Sequence, residues 1–134
     1  MFLLDTMVLS ELRKKSRNTG LVSWMTGRTS GEMYVSVVSV GEIQRGIDLQ
    51  RDKDSVFSVS LAQWLDRVLV TYRDQILPID LPTARRWGRL SAALGHDGAD
   101  LMIAATALER GLKVVTRNVR HFETTGVQIE NPFH

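Results

Sequence analysis

Five residues of this 134-residue chain are of the right type, in the right place, to do chemistry together. Asp5 closes the short apolar run "FLL", and Glu42 opens a helix just behind "MYVSVVS". Asp100 lies in the first turn of the helix read from "DGADLMIAATALERG", and Thr116 and Asn118 end the strand "LKVVT". Three carboxylates facing one point repel each other and persist only beside a compensating cation. Hard divalent ions such as Mg²⁺ or Mn²⁺ take carboxylate and water oxygens. An acid-only site of this kind suits phosphoryl transfer. The ion polarises a phosphodiester, lowers the pKa of a bound water and stabilises the leaving oxygen. Whether it holds one ion or two is left open by the sequence.

Each acid also has an ordinary structural explanation. Asp5 is a plausible N-cap, shared with Thr6. Glu42 follows Ser39 at the spacing of a capping box. Asp97 and Asp100 are first-turn acids that complement a helix dipole. What sets the group apart is topology. Residues 2–5 read as a strand, with a helix from about Val8 to Lys15 and another over about 20–27. "MYVSVVS" (33–39) is β-branched and reads as a strand, followed by a helix from near Val40. A wide apolar stripe including Trp64 and Leu65 marks a helix over about 55–72. "QILPID" is a short strand, and Pro78, with no amide to give a ladder, marks an edge or an end. A helix opening near Pro82 ends before Gly95. Helix 97–110, strand 112–116, a turn or helix over 118–122 and a last strand at 127–129 complete the chain. Alternating short strands and helices predict an α/β fold, a parallel sheet with helices on both faces. Parallel strands put Asp5, Glu42, Thr116 and Asn118 along one sheet edge. Asp100 joins them only if its helix begins over the crevice there.

The length fits one domain, residues 1–134, with a real core. No apolar run approaches the ~20 residues of a membrane span, and the start lacks a signal-peptide pattern. There is no cysteine, which excludes disulfides and thiolate metal sites. A cytoplasmic location is the default expectation. Seventeen Lys and Arg against fifteen acids leave a net charge of +2, compatible with nucleic acid but not demanding it. The cations cluster: Arg13, Lys14, Lys15 and Arg17; Arg85, Arg86 and Arg89; Arg110, Lys113, Arg117 and Arg120. Solvated helix faces explain any one cluster as well as a ligand does.

Four motifs now carry a resemblance. "LLDTMVLSEL" resembles the first motif of PIN-domain ribonucleases, L-D-T followed by Asn or Ser. "SVVSVGEIQRGI" resembles their second, S-x-x-S/T-x-x-E with a Gly four residues on. "GHDGADLMIAATALERGLKVVTRNVRHF" resembles their third and fourth, D-x-x-I-A-A-x-A and a strand ending in T-R/N-N/D. In this order and spacing the set is specific, it covers nearly the whole chain, and it is most similar to VapC and FitB toxins. The resemblance implies a PIN domain, an α/β/α sandwich around a mainly parallel sheet of four to five strands. It implies a metal-dependent endoribonuclease cutting structured RNA, tRNA or rRNA, with Mg²⁺ or Mn²⁺. It also implies a homodimer silenced by a VapB- or FitA-like antitoxin, through which the complex reaches operator DNA.

Carried over by position, Asp5, Glu42 and Asp100 become the catalytic metal ligands, with Thr6, Asp97, Thr116 and Asn118 in support. Arg13, Lys14, Arg85, Arg86 and Arg117 become candidates for the RNA backbone, since phosphates need cations around an acidic centre. Two positions depart from the pattern. Asn118 stands where many members have a fourth Asp, and His121 where others have an acid. Asn is also common at the first of these places, and the two departures together weigh against a complete four-carboxylate, two-metal site. Met7 replaces the usual Asn or Ser and removes the D-x-D of an aspartyl-phosphate phosphohydrolase. The competing reading is a catalytically weak PIN module that acts by binding antitoxin and operator DNA, or RNA without cleavage.

Overall fold

The computed structural model describes residues 1–134. β1 (Phe2–Leu4) lies at the centre of a sheet, flanked by β2 (Met33–Ser36) and β4 (Lys113–Val115). β3 (Ile76–Leu77) and β5 (Ile129–Glu130) form the edges, in the order β3-β2-β1-β4-β5, and every pairing is parallel. The helices are α1 (Thr6–Arg13), α2 (Thr19–Thr26), α3 (Val37–Gln50), α4 (Ser55–Thr71), α5 (Leu81–Leu94), α6 (Ala99–Arg110) and α7 (Val119–Glu123). This is an α/β/α sandwich with five strands. No helix is long and apolar enough to cross a membrane.

A parallel strand covered on both faces must be apolar on both. β1 shows it: Phe2 and Leu4 join one buried cluster with Val35 and Val115, while Leu3 joins a second with Val114 and Ile103. Trp64, Leu65 and Val68 of α4 pack into the first cluster, while Val56, Val59 and Val70 of the same helix stay exposed. From β1 the chain moves outward through β2 to β3, then returns to place β4 on the other side of β1. The gap between β1 and β4 is thus the point where strand order reverses, where crevices open beyond the carboxyl ends of strands. Leu4 is in register with Val35 and with Val115, so Asp5, Ser36 and Thr116 follow side by side at that edge.

One boundary differs in a way that matters. The β-branched run 33–39 is a strand only to Ser36, whose side chain caps α3 by accepting from the Val38 N–H at 3.0 Å. The N-cap is Ser36, and Ser39 with Glu42 is not a capping box. Local β propensity yields here to a serine able to terminate the strand and start the helix. α6 begins at Ala99 and stops at Gly111, whose φ of 66° favours glycine. That places Asp100 in its first turn.

Candidate active site

Asp5 is the anchor. It follows β1 directly, its own N–H donates to the Val115 carbonyl, and it is only 4% exposed. A buried carboxylate needs donors, and it has one on each oxygen. The Thr6 N–H donates to Oδ1 at 2.8 Å, and the Thr116 hydroxyl donates to Oδ2 at 2.8 Å. Thr116 Oγ1 also accepts from the Asn118 N–H at 2.9 Å, which fixes the direction of its own proton. Burial pushes the Asp5 carboxyl up from 3.8 to about 6. The Thr116 and Thr6 bonds oppose that rise, while the negative charges of Asp100 and Glu42 add to it. Three acids therefore feel one another across one space.

Glu42 is brought in by a hydroxyl chain. Thr6 Oγ1 donates to Glu42 Oε1 at 2.7 Å and lies 2.7 Å from Ser39 Oγ. Thr6 has a single hydroxyl proton, so with that proton on Glu42 the fully buried Ser39 must be the donor to Thr6. Ser39 and Glu42 are three apart on α3 and share a face. Asp100 reaches the same place from α6, and His121 from α7 sets its Nδ1 2.9 Å from Asp100 Oδ2. Asp5, Thr6, Glu42, Asp100 and His121, with Met7, Ser10 and Asn118, line a crevice of about 340 Å³, and Ser39 is buried behind it.

As the side chains stand, no three His, Asp or Glu residues are spaced to grip one ion. Each carboxylate instead engages a neighbour: Asp5 with Thr116, Glu42 with Thr6, Asp100 with His121. The donor chemistry nonetheless suits a hard divalent cation. The acids supply oxygen, and Asp100 and Glu42 add their negative charge to the burial that raises the Asp5 carboxyl.

The PIN domain profile matches residues 2–127. The chain belongs to the PIN domain family. Among PIN-related proteins, it is 31% identical to the VapC ribonuclease Y4jK of Sinorhizobium fredii, covering 99% of this chain and 98% of that one. It is 32% identical to the toxin FitB of Neisseria gonorrhoeae, covering 100% and 99%. The structure of FitAB bound to an IR36 DNA fragment superposes with a TM-score of 0.81 at 30% identity, covering 100% of this chain and 96% of that one.

In this PIN domain the expected residues separate into two groups. Asp5, Thr6, Glu42, Asp100 and Asn118 all line the crevice, with Thr116 buried directly behind Asp5. Asp97 is exposed in the turn before α6 and does not line it. None of the five cationic candidates lines it either. Lys14 pairs with Glu11 at 3.1 Å, and Arg86 with Glu109 at 2.6 Å. Arg13 lies over the Phe57 ring and Arg117 over Phe133, while Arg85 lines a separate cavity beside Arg89. Two residues gain a place that sequence reading did not assign. Ser39 was legible only as a cap, although its i, i+3 spacing from Glu42 was a signal. His121 was legible only as a departure from a pattern.

Proposed function

We propose that this protein is a metal-dependent endoribonuclease, the toxin of a toxin–antitoxin pair. One observation carries the reading. Asp5, Glu42 and Asp100 come from three separate elements into one crevice at the sheet's switch point, where burial first, and then the charges of Asp100 and Glu42, raise the Asp5 carboxyl. The relatives named as a ribonuclease and a toxin support it. Asp5, Glu42 and Asp100 would hold Mg²⁺ or Mn²⁺. Such an ion supplies electrophilic activation of a phosphodiester and an acidified water. The chain's own part is to fix the ligands. Thr116 and the Thr6 amide hold both oxygens of Asp5, Ser39 and Thr6 orient Glu42, and α6 presents Asp100 from its first turn.

In this reading the substrate is a structured RNA, tRNA or rRNA, and the partner is a small VapB- or FitA-like antitoxin. The chain acts in the cytoplasm as a homodimer and reaches operator DNA through the antitoxin complex. The FitAB structure with DNA supports that partnership. Asp100→Asn tests the site: it preserves shape and removes a ligand charge. Purified Asp100→Asn should keep the wild-type fold by circular dichroism and lose cleavage of structured RNA by at least a hundredfold. A folded variant cutting at the wild-type rate contradicts the assignment.

A binding-only PIN module is the second reading. What favours it is that each carboxylate engages a neighbour and that Asn118 and His121 stand where further acids would. It predicts RNA or antitoxin affinity without metal-dependent products.

A further inference from the structure

The crevice holds one nitrogen donor among its oxygens. His121 sits in α7, four helices along the chain from the acid of α3, and its imidazole is the only one lining the space. Its Nδ1 stands 2.9 Å from Asp100 Oδ2, which ties it to one of the three acids. Phe122, the next residue, is fully buried in the second core cluster, so α7 is pinned against the sheet beside the crevice. Asn118, at the start of the same short helix, adds a neutral carboxamide. The side of the crevice formed by α7 therefore offers an imidazole and an amide, while the side formed by β1 and α3 offers carboxylates.

These donors differ in what they prefer. Carboxylate and water oxygens serve Mg²⁺, whereas imidazole favours first-row transition ions, with affinity rising from Mn²⁺ through Co²⁺. Mg²⁺ demands near-ideal octahedral oxygen geometry and gives up water reluctantly. Two cis ligands of an octahedral ion at ~2.1 Å are about 3 Å apart. The Nδ1–Oδ2 separation of 2.9 Å falls at that value. The same spacing is that of an ion pair, so to hold one ion together the imidazole and the carboxylate must exchange their mutual contact for the metal, with both groups already at the right separation.

We propose that His121 is a metal-selecting residue: with Asp100 it gives the site a mixed nitrogen and oxygen donor set that favours Mn²⁺ or Co²⁺ over Mg²⁺. This rests on the reading of Asp5, Glu42 and Asp100 as metal ligands. In that arrangement His121 contributes to which ion is held, and Asp5 and Glu42 to whether any ion is held.

The test is binding of Co²⁺, Mn²⁺ and Mg²⁺ to the full-length protein, by calorimetry and by the visible absorption of bound Co²⁺. Wild type is compared with His121→Ala, His121→Asp and Asp5→Asn, each checked for fold by circular dichroism. The wild type should bind Co²⁺ and Mn²⁺ more tightly than Mg²⁺. His121→Ala should lose about tenfold in Co²⁺ affinity, with a changed Co²⁺ spectrum and little change for Mg²⁺. His121→Asp should narrow the Co²⁺ to Mg²⁺ ratio by strengthening Mg²⁺. Asp5→Asn should weaken all three ions. An unchanged ratio and spectrum in both His121 variants, with Asp5→Asn still weakening every ion, overturns the role of His121 alone. No binding to wild type, or none lost in Asp5→Asn, overturns the metal-site reading and this inference with it.

Discussion

The Asp5 carboxyl is held by two donors and strained by two like charges, so its protonation links the site to stability. Its folded value, about 6, lies above the ordinary 3.8, so the proton is bound more tightly in the folded chain. The stabilisation that follows is fully present below about pH 4 and is lost as pH rises through about 6. Relative to wild type in metal-free buffer, Asp5→Asn should therefore gain stability on going from pH 4 to pH 8, by on the order of 2 kcal/mol. Urea unfolding at the two pH values reads this directly, and a constant difference contradicts it. A saturating divalent cation should restore wild-type stability at pH 8. Thr116→Val removes the only hydroxyl that reaches Asp5 Oδ2 and leaves a buried acceptor unpaired. It should cost about 1–3 kcal/mol in stability at pH 8 and at least tenfold in RNA cleavage, with Thr116→Ser recovering most of both.

At the scale of elements, the site depends on how α1, α3 and α6 meet β1 and β4. Ser39 and Thr6 tie α3 to α1 across 33 residues of sequence. Ser39→Ala should leave the fold intact, cost about 1 kcal/mol, and lower cleavage several-fold by freeing Glu42. Unaltered turnover in that variant removes the positioning role. A second joint holds the chain's end. Gly20 of α2 lies against the His134 ring and the Pro132 carbonyl, and Asn18 bonds the backbone of His134. A Cβ at position 20 has no room there, so Gly20→Ala should destabilise by about 1–3 kcal/mol. In a chain shortened by residues 132–134 the same substitution should cost almost nothing. Equal costs in both chains contradict the contact. These joints also show what sequence could and could not reveal. Asp5, Glu42 and Asp100 were legible only as a set: each alone passes for a helix-capping or first-turn acid, and it is their shared topological position and the four ordered motifs that single them out. Ser39 was not, since a serine three residues before a glutamate is a helix cap by local rules. Only the approach of α1 turns its hydroxyl toward Thr6. The end of β2 was misplaced for the same reason, because Ser36 rather than propensity sets it.

For the whole molecule, the parallel sheet and its doubled core were readable from period and composition, since strands apolar on both faces leave a plain mark. The strand order was not, and it is what puts Asp5 and Thr116 on neighbouring strands at the reversal point. The distribution of cations was not legible either. Clusters in sequence became ion pairs with Glu11 and Glu109 and stacks on Phe57 and Phe133, away from the acid crevice. RNA bound at the crevice would meet carboxylates first, so cleavage should depend on a divalent cation to bring phosphate there. The measurement that bears on this most directly is cleavage of structured RNA by purified, antitoxin-free protein. It is run with Mg²⁺, with Mn²⁺ and with EDTA, beside Asp5→Ala prepared identically. Products that require the metal and vanish in Asp5→Ala are the predicted result. Products that persist in EDTA or in Asp5→Ala, or firm RNA binding with no products under any metal, would contradict it.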